Sequence, residues 1–291
     1  MRLARLKRRL DGLHRDTKNF DCDPVWFPHQ YATAADREVV AFIAAQFAYG
    51  NVKQIFRSLR FVMERLTPGP AGFLPGYTAR HPMRFRGFCH RFHGPADLRL
   101  LLLTVGEVLR QWGSIEAVFA DGYRGDLRAA IASFSSKLLG ISKSARIRPG
   151  KSFGFFFPDP VARGSPCKRL NMFLRWVARD EPPDLGLWKC IDPADLMIPL
   201  DTHVARIGRL LGLTSRRSND WTTAAEITAS LRLLDPRDPV KYDFAIAQLG
   251  IRRECPHRRD PRLCSACGLR DVCVEWGNLD HPRAVARARR V

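Results

Sequence analysis

The chain has 291 residues with 48 Lys and Arg against 29 Asp and Glu, a formal net charge of +19, which asks for a polyanionic partner unless the arginine excess (only nine of the cations are lysine) reflects coding bias. Apolar residues at 45% and aromatics at 10% exclude wholesale disorder and can fill one large or two modest cores. No apolar run approaches the ~18 residues that span a bilayer, and the charged start MRLARLKRRLDGLHRD lacks a signal-peptide apolar stretch, so a soluble cytoplasmic protein is expected.

The predicted elements are helices, and the expected fold class is all-α. Leu3, Leu6, Leu10 and Leu13 fall on one face of an N-terminal helix whose other side carries Arg2, Arg5, Arg8 and Arg9. After a loop with Pro24 and Pro28, residues Asp36 to about Leu66 read as one long helix or two in succession, the first part apolar nearly all round and therefore buried. The breaker-rich TPGPAGFLPGYT at 67–78 is a loop, and helical patterns resume at 95–112, 114–121 and 125–138. A second breaker stretch, FFFPDPVARGSP, precedes a helix for which Ser165 is the expected cap and Pro166 the first residue. Leu170, Phe173, Leu174 and Val177 form its inward stripe, and Glu181-Pro182-Pro183 ends it. Asp201 caps a further helix running to about Gly212, and two more fit 221–234 and 238–250. The tail RAVARARRV is basic.

Four of the eight cysteines, Cys255, Cys264, Cys267 and Cys273, follow in the spacing C-x8-C-x2-C-x5-C. In a reducing compartment such a cluster reads as metal ligation. Four thiolates hold either Zn²⁺ or a [4Fe–4S] cube. Zinc ribbons usually present two C-x2-C knuckles on hairpins; a single knuckle after a helix ending QLGIRREC suits the cube better, with zinc as the alternative. Between the first two ligands lie Arg258, Arg259 and Arg262, on a loop that is either a phosphate clamp or solvated charge. Cys89-His90-x-x-His93 carries metal-type side chains with a weak spacing.

PLDTHVARIGRLLGL, FAIAQLGIRREC and the four-cysteine loop together resemble the endonuclease III branch of the helix–hairpin–helix DNA glycosylase superfamily. There a Val-Asp-Thr-His opens a similar helix, and C-x6-C-x2-C-x5-C binds a [4Fe–4S] cluster roughly fifty residues later; here Asp201 precedes Cys255 by 54 positions and the first cysteine spacing is longer by two. AFIAAQFAYGNV looks like the family's helix before its DNA-facing loop, with Gln46 on the glutamine that inserts toward the opened duplex; the alternative is a glutamine buried within the helix. ADREVVAFIAAQFAYGN and KRLNMFLRWVARDEPPDLGLW look closest to a bacterial family within that superfamily. The superfamily's Leu-Pro-Gly-x-Gly hairpin is not in standard form. The nearest stretch is GSPCKRLNMFLRW, with Lys168 at a helix start 33 residues before Asp201, similar to archaeal 8-oxoguanine glycosylases with their degenerate hairpin.

The resemblance implies a two-lobed fold. Its central helical lobe would span 35–198 with the degenerate hairpin near 164–168, its iron–sulfur lobe 1–34 plus 199–280, and a basic tail 281–291. It implies a monomer in the bacterial cytosol or nucleoid acting on double-stranded DNA, a [4Fe–4S] cofactor, and removal of a damaged or mismatched base from a site between the lobes. Breaking a C1′–N bond develops positive charge on the sugar, which the Asp201 carboxylate can stabilise; its plainer role is the helix cap. Lys168 can attack C1′ and leave a Schiff base, or contact phosphate, or be ordinary surface. His203, two residues after Asp201, is a candidate phosphate contact or a residue that packs without a special role. The alternative on the same scaffold is a non-catalytic iron–sulfur protein that binds DNA or RNA.

Overall fold

A computed structural model of the chain describes residues 2–16, 19–80, 84–145, 147–148, 150, 152–256 and 259–276. Among them every regular element is a helix, and the one β-bridge, between His90 and His93, is isolated. No described helix is long and apolar enough to cross a membrane. The expected basic tail at 281–291 lies outside the described residues. The chain divides into a terminal unit, Met1–Lys18 with Leu196–Val291, and a central unit, Asn19–Asp195.

Helix α1 (Arg2–Asp16) opens the terminal unit and buries Leu6 and Leu10, while Leu3 stays 47% exposed. Its cations are not all free. Arg9 grips Asp271 with two hydrogen bonds of 2.9 and 3.1 Å, and Arg2 donates to the Leu211 carbonyl at 3.1 Å.

The central unit follows with α2 (Ala34–Phe47), α3 (Val52–Met63), α4 (Pro70–Phe73), α5 (Pro95–Trp112), α6 (Ile115–Gly122), α7 (Leu127–Ser144), α8 (Pro160–Arg163) and α9 (Lys168–Ala178). Residues 19–34, expected with the N-terminal helix, belong here instead. Trp26 and Phe27 pack on Phe56, and His29 Nε2 meets the Pro183 carbonyl at 2.7 Å. The stretch 36–66 resolves into two helices because Gly50, at φ +96°, breaks the path and Asn51 caps α3 through Lys53 N. The helix expected from Pro166 begins at Lys168. Ser165 Oγ accepts from Cys167 N rather than from the helix, and Cys167 stands as N-cap in the left-handed region.

The all-round apolar pattern of α2 does bury it: every residue from Glu38 to Phe47 is inaccessible. It packs along α9, with Phe42 edge-on to Phe173 at 5.2 Å, and Phe173 in turn edge-on to Trp188 at 5.1 Å. Glu38, the one carboxylate in that run, accepts from Ile115 N at 3.1 Å, Glu116 N at 2.8 Å and Trp188 Nε1 at 2.7 Å. It thereby satisfies the orphan amides at the start of α6 and ties α2 to the segment after α9.

The terminal unit resumes with α10 (Thr202–Leu210), α11 (Trp221–Arg232), α12 (Asp243–Ile251) and α13 (Pro261–Ser265). Helix α12 starts five residues later than its pattern suggested, because Asp235 Oδ1 captures the amides of Arg237 and Asp238 in a turn bounded by Pro236 and Pro239. Tyr242 Oη donates to Asp11 at 2.7 Å and Lys241 pairs with both Asp11 and Asp235, which anchors α1. Helices α10 and α12 cross at Gly250, where an added Cβ would lie 2.5 Å from His203 Cβ. Glu38→Ala strands three buried donors, so it should lower unfolding free energy by about 3 kcal/mol, with Glu38→Gln losing less. Urea unfolding of the purified variants measures this; equal stability of all three would remove Glu38 from its structural role.

Candidate functional site

In the central unit the end of α2 meets the start of α9. Lys168, half-buried, donates from Nζ to the Ala48 carbonyl at 3.0 Å. Beside it Arg169 is 7% exposed, donating to Gln46 O at 2.9 Å and to Phe155 O, with its guanidinium 3.8 Å from the Phe155 ring and 5.5 Å from that of Tyr49. Burial pulls Arg169 down to about 10, so it remains a cation at neutral pH. The turn that delivers these residues joins α8 to α9 through Gly164 at φ +62° and Cys167 at φ +45°. A left-handed residue with a Cβ costs about 1–2 kcal/mol. Asn171 holds it by donating from Nδ2 to Pro166 O and from its amide to Cys167 O, both at 2.9 Å.

Gln46, expected to reach into an opened duplex, is completely buried, and neither its Nε2 nor its Oε1 has a described partner. It belongs to the all-apolar run of α2, so burial of that helix takes the amide with it. The groups exposed nearby are Phe92 (52%) and Phe155 (43%), with ring centroids 5.1 Å apart and Tyr49 stacked on Phe92. Of these aromatics only Phe155 stood out in the sequence, within FFF; no local pattern marks Tyr49 or Phe92.

His90 and His93 exchange backbone hydrogen bonds of 3.0 and 2.9 Å. The Nε2 of each donates to a carbonyl, Tyr49 at 3.1 Å and Ser152 at 3.2 Å, so each Nδ1 accepts, from Ser58 Oγ and Tyr49 Oη respectively. All four ring nitrogens are therefore engaged by protein. Burial lowers both imidazoles to about 4 and raises the Tyr49 phenol to about 12.

In the terminal unit Asp201 caps α10, its Oδ1 accepting from Val204 N at 2.8 Å; its Oδ2 has no described partner. His203 is half-buried and lies against Gly250 of α12. Cys255, Cys264, Cys267 and Cys273 line one cavity of about 290 Å³, walled also by Arg259 and Trp276. Arg206 of α10 holds the loop, donating to Cys255 Sγ at 3.3 Å, Cys255 O at 2.8 Å and Pro256 O at 2.8 Å. Val274 N closes the other end onto Leu210 O at 2.8 Å. Burial pushes the Cys267 and Cys273 thiols up, and the neighbouring cysteines add to it. Among the described residues no three His, Cys, Asp or Glu side chains gather as a site for one metal ion. Of the loop arginines, Arg259 lies 4.3 Å over the Trp276 ring, Arg262 is exposed on α13, and Arg258 is outside the described residues.

A family model described as "Protein of unknown function (DUF2400)" matches residues 23–252. The chain belongs to the DUF2400 family. The DUF2400 match takes in Gln46, Lys168 and Asp201 and stops three residues before Cys255, so the cysteine loop follows the DUF2400 segment. No curated protein and no solved structure matches the chain.

The histidine pair sets a pH dependence. Both imidazoles are depressed in the folded state, so their contribution to stability is complete above pH ~6.5 and is lost as pH falls toward 4. Melting temperature should drop by several degrees between pH 7 and pH 5, by a smaller amount in His90→Asn. Identical pH profiles in the two proteins would remove His90 from this role.

Proposed function

We propose that this protein is a DNA glycosylase of the helix–hairpin–helix kind that excises a damaged or mismatched base, with Lys168 and Asp201 as its reacting groups and a [4Fe–4S] cluster on the four cysteines. One observation carries the reading: the loop whose four thiols surround a single cavity is pinned by Arg206 to α10, the helix that Asp201 caps. The α8–α9 turn with its two left-handed residues supports a degenerate hairpin delivering Lys168.

The cysteine cavity suits a cube better than a single zinc ion. A single C-x2-C knuckle after a helix, rather than two knuckles on hairpins, favours the cube over one zinc ion. A cube takes one thiolate on each of its four irons, and four thiols line this cavity. Cys255, Cys264, Cys267 and Cys273 would hold it; bound there, it would tie the loop together, and the Arg206 guanidinium at Cys255 Sγ would offset its negative charge.

Asp201 keeps one oxygen for the cap and leaves the other to face positive charge developing on a sugar, while the cap hydrogen bond holds the carboxylate still. Lys168 Nζ, having given up a proton, would leave the Ala48 carbonyl and attack C1′ as the neutral amine. The new N–C1′ bond forms as the C1′–N glycosidic bond breaks, the base departs with that electron pair and takes up a proton, and opening of the sugar ring gives a Schiff base. Arg259 and Arg262, both exposed, would contact phosphate. A second reading, a non-catalytic DNA- or RNA-binding protein on the same scaffold, is favoured by the bond that occupies the Lys168 amine.

Borohydride trapping on duplexes carrying oxidised, deaminated or alkylated bases separates the two. The glycosylase gives a covalent adduct that Lys168→Ala abolishes, and Asp201→Asn slows base release at least 100-fold. Tight binding with neither adduct nor base release on any duplex establishes the binding protein. Freshly purified protein should be yellow-brown with about four irons per chain, and Cys264→Ala should lose the colour. Colourless protein with one zinc per chain would overturn the cluster.

A further inference from the structure

A groove of about 650 Å³ runs along the outer face of α3 and belongs to none of the groups above. Lys53, Arg57, Arg60 and Arg65 line it against two carboxylates, Asp21 and Glu64. Lys53, Arg57 and Arg60 are exposed, follow one another at helical spacings of four and three, and pair with no carboxylate among the described residues; Arg65 reaches Glu64 only at 3.8 Å. Two half-buried phenyl rings stand between them. The Arg65 guanidinium lies 3.7 Å from the Phe61 ring centroid, and Arg60 lies 6.0 Å from that of Phe56. Phe56 is itself fixed from behind by Phe27 at 5.0 Å and Trp26 at 6.1 Å. The result is a row of positive charge interleaved with flat guanidinium and aryl surfaces, held by packing.

From this placement we infer that the α3 groove binds an unpaired strand of nucleic acid, its phosphates on Lys53, Arg57 and Arg60 and its bases against the Arg60–Phe56 and Arg65–Phe61 pairs. Three properties favour this occupant. Lys53 to Arg60 spans about 10 Å of helix axis, room for roughly three nucleotides at ~3.4 Å of rise each, whereas a lone phosphate would engage one or two of these cations. A duplex keeps its base faces stacked inside, so the flat surfaces would go unused, whereas a single strand offers both phosphate and π-face. An acidic peptide supplies charge without the planar rings. The groove starts at Val52, four residues after the Ala48 carbonyl that holds Lys168, so a strand lying in it would extend from the helix that leads away from that lysine. The inference does not depend on base excision: strand binding is read directly, without any reaction.

The test is fluorescence anisotropy of the full purified chain with labelled dT12 and rU12 over a range of salt concentrations. Arg57→Ala/Arg60→Ala should weaken binding at least tenfold and reduce the slope of log affinity against log salt by about 1.4, that is ~0.7 for each lost phosphate contact. Phe56→Leu keeps the apolar volume and should weaken binding several-fold with the salt slope unchanged. Arg8→Ala/Arg217→Ala removes the same charge from exposed positions of the terminal unit and should stay within twofold of wild type. The tighter of dT12 and rU12 identifies the sugar. Wild-type affinity and slope in Arg57→Ala/Arg60→Ala, with its melting temperature unchanged, overturns the proposal. So does a 12-base-pair duplex or a polyglutamate peptide that binds as tightly as the single strands and loses as much in that variant.

Discussion

The central unit depends on one buried carboxylate. Glu38 lies inside a buried, largely apolar helix, and its desolvation, which pushes its pKa up, is offset by three donors from two other segments. Two are the first amides of α6, which need an acceptor because a helix start leaves them unpaired. The third is the Trp188 indole, which packs against Phe119 and Phe173. A single acid in α2 therefore sets where α6 begins and where the chain runs after α9. An apolar residue there would pack as well but would leave all three donors dry.

With α2 so fixed, its C-terminal end decides the chemistry available at the start of α9. The Gln46 and Ala48 carbonyls there have no further helical turn to bond, and they accept instead from Arg169 and Lys168. This couples helix termination to the placement of two cations, one deeply buried and one half-buried. The strained turn at Cys167 belongs to the same arrangement, because it aims the first turn of α9 at those carbonyls. Strain of this kind persists where surrounding hydrogen bonds over-determine it, and Asn171 and Ser165 do so here.

In the terminal unit the corresponding constraint is Arg206. Its guanidinium fork spans Cys255 and Pro256, so the first residues of the cysteine loop are held by α10 rather than by the loop's own short turns. Val274 closes the far end onto the same helix. The helix capped by Asp201 is therefore also the frame of the cavity, which gives an otherwise small helix of nine residues two attachments to a segment without a core of its own.

The all-helical class, the buried nature of α2, the Asp201 cap and the grouping of four cysteines were legible in the sequence, because each follows from local chemistry: an apolar pattern, a capping side chain, a close spacing along the chain. Helix starts near 166 and 238 were misread where side chains captured backbone amides first, at Ser165 and Asp235. Gln46 could not be placed from its neighbours, since a polar residue in an apolar helix faces inward or outward according to what packs on that helix. The same is true of the His90–His93 pair, whose ring nitrogens look free in one dimension and are all occupied in three by residues up to 59 positions away. Arginines posed the opposite problem: as a bare count they announced only a polyanion. The sequence by itself determined how much positive charge this protein carries and which local segments fold as helices. Only the tertiary structure decided which arginines are locked to carbonyls, as Arg169 and Arg206 are, and which stay open along α3, because that choice is made by acceptors distant in the chain.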